Sequence, residues 1–280
     1  MYHLKTLMLM AMLMALFMAV GQVLGGSSGL MMALIIGGSM NFIMYFFSDS
    51  LVLRMYRAKK VTAAEAPELY AMVDRLRQRA GLPMPVVAVA AQEQPNAFAT
   101  GRSPHKAVVA VTTGILKYMP QDELEGVIAH ELAHIKNRDM LITTVAAGIA
   151  GALSYLPYLM MFGGGRRDNE GGHPLLQLAV VLLGPLAAMI IQMAVSRQRE
   201  FAADRTAADI LGNPRPMIRA LQRLDNLAHR IPMDIAPAAA PLAQVNPLAA
   251  HGGGFSKLFS THPPIAERVA ALELVAVEQR

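Results

Sequence analysis

Apolar residues come in long blocks at two places along the chain, and between the blocks the pattern is that of a small folded domain. The first block runs from Leu4 to Leu24 and the second from Leu30 to Phe47, with a "GGSSG" turn, Gly25 to Gly29, between them. The third runs from Met140 to Phe162 and the fourth from Leu175 to Val195. Each is near the ~20 residues that a helix needs to cross a bilayer core. The pattern therefore predicts four transmembrane helices in two hairpins. The first block is too long for the ~7–15 apolar residues of a cleaved signal peptide, and a second span follows at once.

The polar stretches predict short elements. "TAAEAPELYAMVDRLRQRAG" predicts a helix over 62–81, with Thr62 and Glu65 as a capping box and Gly81 as the stop. "VVAVA" (86–90) and "AVVAVTTG" (107–114) predict strands, and "NAFATG" (96–101) a short strand or turn. Pro120 precedes a stretch without proline from Gln121 to Leu156, whose first turn carries Asp122, Glu123 and Glu125. That predicts one helix running on into the third span. The fourth span likewise continues without Pro or Gly from Leu186 to Leu211, where "GNP" ends it. Residues 231–260, rich in Ala, Pro and Gly, predict a loop, and Pro264 to Glu278 a last amphipathic helix.

Composition supports this layout. The 280 residues are 54% hydrophobic and only 16% charged, with mean hydropathy +0.37. An ordinary soluble domain has about 25% charged residues. The formal net charge is +5, yet no Lys/Arg block with interleaved aromatics points to nucleic acid, and there is no Trp. The basic residues instead follow topology. Twelve Lys/Arg fall between Ser48 and Asp139 and ten between Ser196 and Arg280, whereas the loop between the last two spans has only Arg166 and Arg167. The positive-inside rule then places both polar regions and both termini in the cytoplasm. The expected segments are a 1–47 hairpin, a 48–139 cytoplasmic part, a 140–195 hairpin and a 196–280 cytoplasmic part. Cysteine is absent, which excludes disulfides, thiolate metal sites and a cysteine nucleophile.

Chemistry concentrates in "GVIAHELAHIKNRDM". His130 and His134, four apart on a helix, share a face and can aim two imidazoles at one ion. Zn²⁺ suits that donor type, one ion per chain, and Glu131 stands where it can take a proton from water. Chance gives H-E-x-x-H in on the order of one chain in a hundred of this length, so the motif alone is not sufficient. A third protein ligand is needed. Glu200, in "SRQREFAADRTAADILG", supplies one, because the intervening hairpin returns the chain to the same membrane face. Asp204, one turn on, can accept the free N–H of a ligand histidine. His3, His105, His173, His229 and His251 have no partner at ligand spacing.

"HELAH" with downstream "EFAAD", together with "NAFATG", "STHPP" (260–264) and "ERV" (267–269), resembles the HtpX family of membrane-bound zinc metalloproteases, relatives of the eukaryotic CAAX prenyl endoprotease. The resemblance implies His130, His134 and Glu200 as zinc ligands and Glu131 as general base. It also implies a His and an Arg six apart near the oxyanion, here His262 and Arg268. The segment Asn96, Ala97, Phe98 resembles the edge that pairs with an extended substrate, although Asn96 also reads as a turn residue after Pro95.

The expected fold class is thus an α-helical membrane protein with four transmembrane helices and a small α+β, zincin-like cytoplasmic metalloprotease domain. The expected function is a membrane-bound zinc endopeptidase of the bacterial inner membrane, acting on protein or peptide substrates, with quality control of misfolded membrane proteins implied by the resemblance. The lipid bilayer is the other expected partner. Two alternatives stand beside it: an intramembrane metalloprotease, disfavoured by the charges Lys136 to Asp139 just after the motif, and a non-catalytic membrane scaffold.

Overall fold

A computed structural model describes residues 2–140, 197–228, 230–231 and 263–278. The expected third and fourth spans, nearly all of the 231–260 loop, and His262 lie outside the described residues.

Helix α1 (Tyr2–Met55) takes up both expected N-terminal spans as one helix. The expected glycine turn survives only as Gly26 at φ 58°, a left-handed conformation that glycine adopts without penalty. Judged on the described residues, no helix is long and apolar enough to cross a membrane. Met32, Ile35, Ile36, Phe42 and Phe47 of α1 are nevertheless exposed.

The chain then forms β1 (Ala58–Lys60), α2 (Pro67–Ala80), β2 (Val86–Ala90), β3 (Ala97–Gly101), β4 (Ala107–Thr112), α3 (Thr113–Tyr118) and α4 (Gln121–Asn137). After the undescribed segment come α5 (Arg197–Leu211), α6 (Arg215–Ala228) and α7 (Ile265–Glu278). Helix α2 starts five residues later than the capping box predicts. Glu65 does accept the Thr62 N–H at 2.7 Å, but Thr62 Oγ1 donates to the same carboxylate, 2.8 Å away. Pro67 sets the start: it fits the first helical turn and keeps Ala66 out of the α region, at φ −141° and ψ 67°.

The sheet order is β1-β2-β4-β3, with β2 parallel to β4 and the two outer pairs antiparallel. Alternation along the strands makes two apolar faces. Val87, Val109, Val111, Ala97 and Ala99 pack with α2 and α4 in the main core. Ala88, Ala90, Val108, Ala110 and Phe98 pack with Val52, Leu53 and Tyr56 at the end of α1. The N-terminal helix is therefore seated on the sheet rather than tethered to it.

Helix α4 is the centre of the fold, touching α2, α5, α6, β3 and β4. Gly126 lets α6 come close: a Cβ there would stand 2.9 Å from the Met217 backbone. At its start, the buried Glu123 takes a two-point hydrogen bond from Arg223 of α6. Contrary to the expected run to Leu156, α4 stops at Asn137. Arg138 adopts φ 57° and ψ 34°, and its N–H and that of Asp139 turn back to the Ile135 and His134 carbonyls. This left-handed stop caps the last carbonyls of the helix.

Candidate metal centre

His130 and His134 lie on α4 and Glu200 lies in the first turn of α5, the helix packed along it. One donor atom from each falls within 4.8 Å of the others. The two Nε2 atoms are 2.9 Å apart, and Glu200 reaches the first with Oε2 at 3.7 Å and the second with Oε1 at 3.6 Å.

The outer nitrogens are both engaged. His130 Nδ1 is 2.9 Å from Asp204 Oδ1, and His134 Nδ1 is 3.0 Å from Asp139 Oδ1. A carboxylate can only accept, so each Nδ1 carries the proton. Both Nε2 atoms then face the same point, together with Glu200, and His134 Nε2 becomes a donor once its second proton leaves. That is a donor set for a cation. Ligand atoms ~2.0–2.1 Å from a tetrahedral zinc stand roughly 3.3 Å apart, and the three observed separations bracket that spacing. The residues present therefore fit zinc.

The protein groups alone show what this crowding does. Burial pushes the His130 imidazole down to about 4, His134 adding to the push against Asp204. Burial also works against a charged His134, but Asp139, joined by Glu200 and Glu131, outweighs it and the imidazole is pushed up to about 10. Burial pushes the Glu131 carboxyl up to about 7; His134 opposes the rise and Glu200 adds to it. Glu131 also accepts a hydrogen bond from the Ala99 backbone N–H. Asp204 stays below the usual carboxylate range: burial disfavours its charge, but Arg268 and His130 together more than compensate.

Arg268 of α7, expected near the oxyanion, is bound up with Asp204. It is fully buried, and its Nε and Nη2 donate to Asp204 at 2.8 and 2.6 Å. Its Nη2 is also 3.4 Å from His130 Nδ1 and its Nη1 3.8 Å from Glu200. The guanidinium stands behind the ligands.

The "NAFATG" segment forms β3, which pairs only with β4 among the described strands. Asn96 is buried, its Oδ1 accepting the Ala97 N–H at 3.0 Å and its own N–H donating to Thr112 Oγ1 at 2.9 Å. Asn96 O accepts the Thr112 N–H. Alternation along an antiparallel ladder then directs the backbone groups of Ala97, Ala99 and Gly101 away from β4. Ala97 faces the α4 side, whereas the Phe98 ring packs on Tyr56, centroids 4.1 Å apart, on the far face of the sheet. Two features escaped the sequence. Asp139 looked like one more interfacial charge, and the Ala99 N–H has no side-chain signature.

A helix bearing H-E-x-x-H beside a sheet edge, with a third acidic ligand on a neighbouring helix, defines the class of zincin-like metallohydrolases. Comparison with known proteins narrows the class. The profile of Peptidase family M48 matches residues 63–276, and the chain belongs to that family. It is a metalloprotease with zinc as its cofactor. The "Protease HtpX homolog" of Gemmatimonas aurantiaca is 58% identical over 99% of this chain and 100% of its own length. That of Thermodesulfovibrio yellowstonii is 55% identical, covering 99% of each chain, and that of Salinibacter ruber 51%, covering 97% of each. Among solved structures, S. mikatae Ste24p overlaps 87% of this chain and 64% of its own, with 18% identity and a TM-score of 0.45.

Proposed function

We propose that the chain is a membrane-bound zinc endopeptidase in which His130, His134 and Glu200 hold the ion and Glu131 is the general base. The observation that carries this is the convergence of two Nε2 atoms and one carboxylate on a single point, with both Nδ1 atoms held by other carboxylates. Bound zinc would polarise the scissile carbonyl and make the attacking water more acidic.

The rest of the work falls to the chain. A peptide adds in extended form along β3, meeting the Ala97 and Ala99 carbonyls and the Gly101 backbone, since the Ala97 and Ala99 N–H groups already donate to Asn96 and Glu131. Glu131, oriented by the Ala99 N–H, takes the proton of the attacking water and returns it to the leaving amine. Asp204 holds the His130 ring, and Arg268 holds Asp204. His262 is proposed as the oxyanion donor, and Arg268 as a positioning residue.

The apolar blocks 4–47, 140–162 and 175–195 are proposed to anchor the domain, as two hairpins, in a bacterial inner membrane. The segments 48–139 and 196–280 then form one cytoplasmic protease unit. The exposed apolar side chains of α1 and its seating on the sheet support this. A protease held at that surface suits misfolded membrane proteins as substrates.

The test uses detergent-purified full chain with zinc, beside Glu131→Gln, acting on casein as an unfolded substrate. Cleavage by the wild type alone, with about one zinc in each, upholds both ligand and base assignments. Two folded proteins without metal refute the ligand set. Equal cleavage by both refutes the base.

A further inference from the structure

We infer that Asp139 is a positioning residue for the metal centre, and that the left-handed stop at Arg138 exists to deliver it to His134. The inference rests on the ligand assignment proposed above. In an uninterrupted helix, residues five apart point about 140° away from each other, so Asp139 would face away from His134. The stop reverses that. Arg138 N–H reaches the Ile135 carbonyl at 3.2 Å and Asp139 N–H reaches the His134 carbonyl at 3.3 Å.

These two bonds make a Schellman motif, in which the second residue past the helix faces the third from its end. That pair is commonly an apolar contact. Here it is Asp139 and His134, Oδ1 to Nδ1 at 3.0 Å, with Asp139 only 4% exposed. The stop residue is not glycine, although φ 57° disfavours any side chain. Strained conformations of this kind persist where surrounding structure enforces them, often at functional sites. Asn137 contributes to that enforcement, its Nδ2 reaching Thr206 Oγ1 of α5 at 3.5 Å.

Asp139 thereby does for His134 what Asp204 does for His130. Each carboxylate fixes one ring and keeps the proton on Nδ1, so that Nε2 is the donor. The sources differ. Asp204 comes from a neighbouring helix, whereas Asp139 comes from the stop of the ligand helix itself. Orientation of His134 is therefore local and set as soon as α4 ends. Arg199, half-buried at the start of α5, feels the charges of both Asp139 and Glu200. That links the two sides of the centre.

The experiment measures zinc affinity of the full chain by competition with a chromophoric chelator, and the visible spectrum of the Co²⁺-loaded protein. Asp139→Asn keeps the size and one acceptor but loses the charge. Its zinc affinity should fall about 10–100-fold, the usual effect of removing such a partner. The cobalt bands should shift as the His134 ring loosens, while a cooperative melt persists. A purely structural role predicts a lower melting temperature with unchanged zinc affinity and cobalt spectrum in the folded fraction, and that result overturns the inference. Should Asp139→Asn not fold, Asp139→Glu, which displaces the carboxylate by one methylene, is read in the same way. His134→Ala is the control. Zinc binding that survives His134→Ala overturns the ligand assignment and this inference together. Binding lost in His134→Ala but intact in folded Asp139→Asn overturns the inference alone.

Discussion

Replacing Arg268 by alanine should destabilise the metal centre rather than only slow catalysis. The guanidinium is fully buried, and its contacts at 2.6 and 2.8 Å both go to Asp204, itself 1% exposed. Truncation leaves Asp204 buried without its counter-charge, and leaves Glu200 with one positive neighbour fewer. Two unit charges at 4 Å interact by about 4 kcal/mol at an effective dielectric near 20. Removing one member of a buried pair typically costs about 3–5 kcal/mol. The two figures agree, and roughly 2–4 °C per kcal/mol puts the fall in Tm near 10 °C. Thermal melts of the metal-free full chain in detergent read the stability, and steady-state kinetics on casein read kcat and KM. An oxyanion donor behaves differently: its loss lowers kcat with little change in Tm. A melting temperature within about 2 °C of wild type, less than about 1 kcal/mol, together with a large fall in kcat alone, would refute the placement of Arg268 behind the ligands.

Three further outcomes follow from the geometry. The Glu131 pKa of about 7 lies above its ordinary 4.5, so its contribution to the metal-free fold is complete below about 4.5 and lost as pH rises through about 7. Glu131→Gln should flatten that part of the Tm–pH curve, and equal slopes for the two proteins would contradict it. Gly126→Ala should lower stability by about 1–3 kcal/mol less the ~1 kcal/mol that alanine gains in a helix, since the new Cβ meets Met217 backbone at 2.9 Å. A variant more stable than wild type would show that α4 and α6 can part freely. Arg138→Gly should raise stability by about 0.5–1 kcal/mol, relieving the left-handed strain less the added freedom of the unfolded chain. Its zinc affinity should match wild type, and a loss of affinity would mean that the arginine side chain itself serves the site.

The site's local part was legible in the sequence and its tertiary part much less so. The pairing of His130 and His134 is a matter of helical period, which one sequence carries in full. Glu200 could be reached through the expectation that the apolar blocks of 140–195, outside the described residues, form a hairpin. Asp139 could not. A glycine at 138 would have announced the stop, but arginine gives no such signal, and the proline-free stretch argued for continuation. The spacing of Arg268 from His262 suggested a shared task, yet spacing cannot say that a guanidinium points backward into two carboxylate oxygens. Strands β2 and β4 were plain from their β-branched runs, although the one expected over 107–114 ends at Thr112, and helix α3 follows. The segment Asn96 to Gly101 was ambiguous because alanine and glycine carry little strand preference; partnership with β4 makes it a strand.

The charge on the buried cluster leads to one more measurement. Glu131, Asp139, Glu200 and Asp204 are all buried, and the guanidinium groups beside them are the buried Arg268 and the half-buried Arg199. With every carboxylate ionised and both imidazoles neutral, that leaves two uncompensated negative charges, the complement of one divalent cation. The protein alone answers with protons. His134 is pushed up to about 10, where its Nε2–H can be shared with His130 Nε2 at 2.9 Å, and Glu131 is pushed up to about 7. Zinc must expel the His134 proton to reach Nε2, and its charge draws Glu131 into the ionised form. Zinc should therefore release protons on binding, the His134 proton first, with Glu131 and the more acidic bound water adding to the count. Titration calorimetry at pH 7 in PIPES and in HEPES, which bind zinc weakly, reads this release as the slope of observed enthalpy against buffer ionisation enthalpy. In Glu131→Gln the release should be smaller than in the wild type at the same pH, because one proton source is gone. A slope of zero in the wild type would mean that zinc enters a centre already deprotonated, and that the two negative charges are balanced by groups other than these.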